Sequence, residues 1–327
     1  MFLQTIPVSS FAMVMGLSAL TLVWARIAIL GWLPGFADTL AMGLALLDAL
    51  VFLALLFLYA RKWRRHPEQV AAEWQHPVKS LFFETVPISF ALTATVALGM
   101  FAPLAMPLWI ISACLQMLVM LMVINARVYR ETLQPVHATP VWFIVAVANM
   151  VLPLAGVRLG FMELSWGFFS LGILFWIVLL TIVTARLLFV QPPLPERLVP
   201  TLCIFLAPPA MAFIAWLQLT GQHPSASGPS DLDATAHVLF WVALFFALFL
   251  LVQVRRFARL PFYLSWWTFS FPTAAFTWAC LAYAQFVPTL AAQALALGMV
   301  VLTTLLIVWL FVRTIVAIVS GDPQFAD

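Results

Sequence analysis

Two carboxylates stand inside long apolar runs of this chain, Asp48 near the middle of one and Glu84 about one turn into another. An ionised carboxylate at the centre of a bilayer-spanning helix costs about 2.5–3.5 kcal/mol on insertion scales. Asp48 therefore serves either as a proton site for coupled transport or as a neutral acid bonded across a helix interface. Glu84 either lines a pore mouth or reaches the interface near Lys79. Cys114, Cys203 and Cys280 lie far apart inside apolar runs, and their spacing matches no metal or redox pattern. HExxH, GxSxG, Walker-type and CxxC motifs are absent, so the residues for intramembrane hydrolysis or ATP-driven transport are missing. No enzymatic activity, cofactor or metal is expected.

No span centre carries Lys or Arg, and no ring of carboxylates waits for cations. A pathway through such a chain is nearly uncharged and selects by dehydration cost and weak dipole contacts. Small anions suit it better than cations, because the rim expected to face the cytoplasm is basic.

The elements that must hold these residues are membrane spans. The 327 residues are 65% hydrophobic and 8% charged. A spanning helix needs about 20 largely apolar residues. Ten such runs fall near residues 6–25, 39–60, 80–100, 104–126, 139–157, 164–185, 198–219, 235–254, 262–285 and 289–312. Counting loops alternately places thirteen of the fifteen Lys and Arg on one side, leaving only Arg26 and Arg158 on the other. By the positive-inside rule both termini are cytoplasmic. The expectation is one ten-helix transmembrane domain over 1–327, multi-pass and embedded in the lipid bilayer. Met1 to Ser10 lacks a basic n-region and reads as the start of the first span rather than a removable signal. The formal charge of +3 is explained by topology and calls for no nucleic acid partner.

Prolines give the spans a period. Pro87, Pro153, Pro208 (with Pro209) and Pro272 fall inside the third, fifth, seventh and ninth runs, recurring about every 60 residues. A buried Pro frees a carbonyl and kinks its helix, which a membrane tolerates where neighbours or a water-filled cavity satisfy the freed group. The spans pair as five helical hairpins. Odd-numbered helices are the candidates for an inner, pore-lining ring, and even-numbered ones for a straighter outer ring.

Four segments resemble the tellurite-resistance/dicarboxylate transporter family, TehA-like and related to plant slow-type anion channels. They are HPVKSLFFETVPISF (His76 to Phe90), TPVWFIVAVANMVLPLAG (Thr139 to Gly156, holding Asn149), LPERLVPTLCIFLAPPAMAFIAWL, and SWWTFSFP (Ser265 to Pro272). The resemblance implies a homotrimer in which each protomer holds its own pore lined by the odd-numbered helices. It also implies that Phe271 occludes that pore at mid-membrane. Lining candidates under this resemblance are Phe11, Ala12, Phe90 and Asn149, with the four prolines as kinks. The first span departs from the family's Gly-Tyr-Phe-Gly run, having Ser9, Ser10, Phe11 and Ala12 after Pro7.

The expected function is passive conduction of small monovalent anions across a bacterial inner membrane, gated by Phe271. The alternative is a proton-coupled or facilitated exporter of small acids or oxyanions such as malate, sulfite or tellurite, using Asp48 or Glu84. A non-conducting sensor or scaffold is a third reading, and the short loops argue against it.

Overall fold

The computed structural model describes residues 6–223 and 232–320. Among them the main helices are α1 (Val8–Ile29), α2 (Phe36–Arg65), α3 (Pro67–Gln75), α4 (Lys79–Met100), α5 (Ala102–Val128), α6 (Pro140–Gly156), α7 (Met162–Phe189), α8 (Glu196–Leu219), α9 (Ala234–Val252), α10 (264–286) and α11 (Leu290–Ser320), with single turns at Pro135–His137 and Val254–Phe257. No strand occurs among the described residues. Eight of these helices are long and apolar enough to cross a membrane, namely all but α3, α6 and α10. Of the ten apolar runs, the fifth and ninth thus fall outside that set of eight. Pro153 interrupts α6 after Val151, and α10 is a six-residue 3₁₀ run leading into a 17-residue α-helix.

Burial sorts the helices into two sets. In their most apolar stretches α1, α4 and α8 are 67, 72 and 94% buried, whereas α2, α5, α7, α9 and α11 are 22–33% buried. The second set exposes rows of Leu, Ile, Val and Phe, among them Leu46, Leu50 and Leu53 of α2 and Val301, Leu302 and Leu305 of α11. Apolar rows of that extent belong against lipid. Contacts connect α1 with α2, α4 with α5, α6 with α7, α8 with α9, and α10 with α11. The first members also touch one another in order, α1–α4–α6–α8–α10, and α10 returns to α1. Gly16 permits that last closure, because a methyl group there would meet the Ser270 side chain, whose Cβ lies at 2.6 Å.

Each buried helix begins with a 3₁₀ stretch: Val8–Phe11, Lys79–Glu84, Pro140–Trp142, Glu196–Leu206 and Leu264–Phe269. In three of them proline supplies the reason. Pro87, Pro208 and Pro272 offer no N–H to the carbonyls four residues earlier, at Phe83, Ile204 and Thr268. All three carbonyls lie within the 3₁₀ runs, where pairing is i to i+3 instead. Threonines reinforce the tighter turn. The hydroxyls of Thr85, Thr201 and Thr268 donate to the carbonyls three residues back, at Phe82, Leu198 and Ser265.

Candidate functional site

Where the 3₁₀ stretches of α4, α8 and α10 give way to α-helix, side chains from all five buried helices enclose a small cavity of about 30 Å³. Its walls are Ala12 and Met15 of α1, Phe82 and Thr85 of α4, Ile144 and Val147 of α6, Ile204 and Ala207 of α8, and Trp267, Thr268, Phe271 and Pro272 of α10. The lining is hydrocarbon apart from two threonine hydroxyls, and both of those are spent on backbone carbonyls. Phe271 is 4% exposed. Trp267 is anchored from behind, its indole Nε1 donating to Thr314 Oγ1 of α11 at 2.9 Å. A chamber of this kind has room for about one water and offers it almost nothing to bond.

Ala12, Phe82 and Thr268 also wall a larger vestibule of about 630 Å³ beside the 3₁₀ stretches. It carries Lys79, Arg197 and His76, together with Glu73. Glu73 is already neutralised by the buried Lys62 ammonium at 2.7 Å, and it also accepts from the Tyr59 hydroxyl at 2.9 Å. Lys62 additionally donates to the Ile6 carbonyl, so this knot ties the start of the described chain to α2 and α3. His76 has its pKa lowered, first by burial and then by Lys79, His137 and Arg130. Its neutral Nδ1 accepts from the backbone N–H of Val78 and of Lys79, both at 3.1 Å.

At the other end of the same five helices lie two adjoining hollows of about 730 and 460 Å³. Arg26, Arg158, Gln218 and Trp278 wall both. Trp278 stands seven residues beyond Phe271, about 10 Å further along the same face of α10. Between these hollows and the small cavity lie 16–20 of α1, 208–213 of α8 and 273–277 of α10, all buried. The plug is therefore several residues thick.

The residues marked in the sequence divide accordingly. Ala12, Phe271 and Pro272 meet at the small cavity. Phe11 turns instead toward α2, edge-on to Tyr59 at 6.0 Å, and Phe90 packs edge-on to Phe52 of α2 at 4.9 Å. Asn149 faces α5, its Nδ2 donating to the Val145 carbonyl at 2.7 Å and contacting Met120 Sδ at 3.2 Å. Pro87 and Pro153 are buried away from the cavity. The Pro87 carbonyl accepts from Ser112 Oγ of α5 at 2.7 Å, and the Leu152 carbonyl beside Pro153 accepts from Trp109 Nε1 at 2.9 Å. Pro208 is buried next to the lining residue Ala207. Asp48 accepts from Ser18 Oγ at 2.7 Å across the α1–α2 interface. Glu84 is fully buried, and its polar neighbours are Gln116 and Arg127 of α5 rather than Lys79. Sequence reasoning missed Met15, Phe82, Thr85, Ile144, Val147, Ile204, Ala207, Trp267 and Thr268. Their shared signal is position, since on α4, α6, α8 and α10 they fall on the N-terminal side of that helix's proline.

The long lipid-facing helices make this a multi-pass membrane protein with an axial series of cavities. Its family is shown by sequence: residues 5–315 match the model for the SLAC1 family, described as voltage-dependent anion channel, and the chain belongs to that family. It is 25% identical to the S-type anion channel SLAH3 and 26% identical to the guard cell S-type anion channel SLAC1, both from Arabidopsis thaliana, over 96% of its length in each case. Those alignments cover 49% and 56% of the relatives, so the chain spans about half the length of these curated proteins. It is also 24% identical to the tellurite resistance protein TehA homolog of Haemophilus influenzae, over 83% of this chain and 79% of that one.

Proposed function

We propose that this protein is a passive channel for small monovalent anions. Its membrane domain is read as ten spans in five hairpins, with α1, α4, α6, α8 and α10 lining the pore and the other five long helices facing lipid. Both termini lie in the cytoplasm of a bacterial cell, in its inner membrane, and three copies assemble with one pore each. Phe271 is the gate. One observation carries the reading above others: a single apolar chamber, walled by all five buried helices and by Phe271, lies in line between two vestibules that both bear basic side chains.

The chemistry follows from that wall. An anion must shed water to pass a hydrocarbon collar, and a dry collar blocks it without any physical lock. Basic groups at the mouths raise local anion concentration without holding the ion tightly in the middle. An inside-negative potential contributes about 2.3 kcal/mol per charge per 100 mV, enough to drive monovalent anions outward with no coupling ion. The coupled-exporter alternative, for malate, sulfite or tellurite, needs a carboxyl facing the pathway. Asp48 and Glu84 instead turn toward neighbouring helices, away from the small cavity.

Planar bilayer recording tests the gate. Phe271→Ala should raise chloride or nitrate conductance by about tenfold or more, the factor that removing a ~1.4 kcal/mol barrier gives. Currents equal to those of the parent would refute the assignment of Phe271.

A further inference from the structure

The vestibule remote from the 3₁₀ stretches holds Arg26 and Arg158, the two basic residues that the charge asymmetry leaves on the non-cytoplasmic side. Basic residues there run against the topological preference. The two are far apart in sequence, on α1 and just after α6, yet both wall the same two adjoining hollows.

Among the described residues no carboxylate lies within ion-pair distance of either guanidinium. Asp38, the acid that lines one lobe, is engaged at the start of α2, where its side chain accepts from the Gly35 N–H at 3.2 Å. Arg26 is half-buried and held in one orientation. One terminal nitrogen donates to Gln285 Oε1 at 2.7 Å, while its buried Nε finds no hydrogen-bond partner among the described residues. That Nε is closed off from solvent, so the terminal N–H groups of this hollow-lining side chain are the donors an anion can reach. Arg158 is exposed and has no hydrogen bond among the described residues. Gln218 adds an amide to the same wall, and Trp278 adds an indole.

We propose that Arg26 and Arg158 form an anion subsite at the non-cytoplasmic mouth that prefers a small planar oxyanion, such as nitrate or a short monocarboxylate, over a spherical halide. The guanidinium fork presents parallel N–H donors spaced for two oxygens of one planar group. A halide takes only the charge, which Arg and Lys supply alike. The positive ring edge of Trp278, rather than its negative face, is what an anion there would meet. The subsite rests on the channel reading, since it places the selectivity of the pathway at its exit rather than at Phe271.

The experiment uses the full chain with Phe271→Ala in every sample, so that current is measurable. Nitrate, formate and chloride conductances are titrated from the non-cytoplasmic side for the parent, for Arg26→Gln/Arg158→Gln and for Arg26→Lys/Arg158→Lys. The glutamine pair should raise the half-saturating nitrate and formate concentrations about tenfold while moving chloride by less than about threefold. The lysine pair should restore chloride fully and the planar anions only in part. Equal shifts for all three anions would mean long-range charge alone and would overturn the subsite, as would no shift at all. Absence of any anion current in the Phe271→Ala parent would instead count against the channel reading. The subsite is then judged by melting of the purified protein without that substitution, at fixed ionic strength. Nitrate should raise the midpoint more than chloride, and the glutamine pair should abolish the difference. A midpoint indifferent to which anion is present would refute it.

Discussion

At the scale of single residues, close approach and buried charge dominate. Gly16 lies where α1 meets Ser270 of α10, with no room for a further carbon. Gly16→Ala should cost about 1–3 kcal/mol of overpacking, read as a lower melting midpoint of the purified protein. Lys62, 2% exposed, donates to Glu73 and to the Ile6 carbonyl. Lys62→Ala leaves that carboxylate without its countercharge and should cost about 2 kcal/mol, and Glu73→Gln should cost at least as much because it strands the more deeply buried Lys62 ammonium. His76 adds a pH dependence whose sign is fixed by its lowered pKa. The unfolded chain binds this proton more readily, so the neutral ring's contribution is complete above the ordinary histidine value near 6.5. It is lost as pH falls through the lower folded value. Melting the parent and His76→Ala from about pH 7.5 downward should show the gap between them closing on the acid side.

At the scale of elements, the prolines and threonines act together. Proline leaves the Phe83, Ile204 and Thr268 carbonyls without an i+4 donor, and within the same 3₁₀ runs threonine hydroxyls bond other carbonyls, at Phe82, Leu198 and Ser265. Replacing Thr85, Thr201 or Thr268 by the isosteric Val should cost about 1 kcal/mol each, measured by thermal or denaturant unfolding. Asp233 plays a comparable part at the start of α9. Its Oδ1 accepts from the Ala236 N–H at 2.7 Å, and its Oδ2 accepts from Trp216 Nε1 at 2.8 Å. The prolines were legible in the sequence, and so were the helices they occupy. What each helix turns toward the axis was not. A helix that is apolar all round has no polar face from which its rotation can be read. Phe11 and Ala12 are adjacent in sequence, yet only Ala12 meets the cavity while Phe11 meets Tyr59. Asn149 was a lining candidate through the family resemblance, but an amide is just as useful across a helix interface, and there it contacts Met120 while bonding its own helix at Val145. The 3₁₀ stretches were equally invisible, because in a run apolar all round neither a period of 3.0 nor one of 3.6 leaves a pattern.

At the scale of the whole molecule, charge asymmetry and helix burial carry most of what was readable. The positive-inside count makes a direct prospect for labelling in intact cells. Arg158→Cys should react with an impermeant thiol reagent from outside, and Arg64→Cys only after the membrane is opened; the reverse pattern would overturn the orientation. The proposed trimer would appear in solution as three times the 36.4 kDa chain mass after subtraction of detergent, and a single chain mass would refute it. Nothing in one copy's sequence marks which lipid-facing rows meet another copy, since contact with a neighbour and contact with acyl chains ask for the same side chains.

The chamber beside Phe271 offers about 30 Å³ to solvent, enough for one or two waters and no more. A hydrated ion needs far more room, so the surrounding wall must widen before anything charged can cross, and the pace of opening is set by movement of the protein rather than by arrival of the ion.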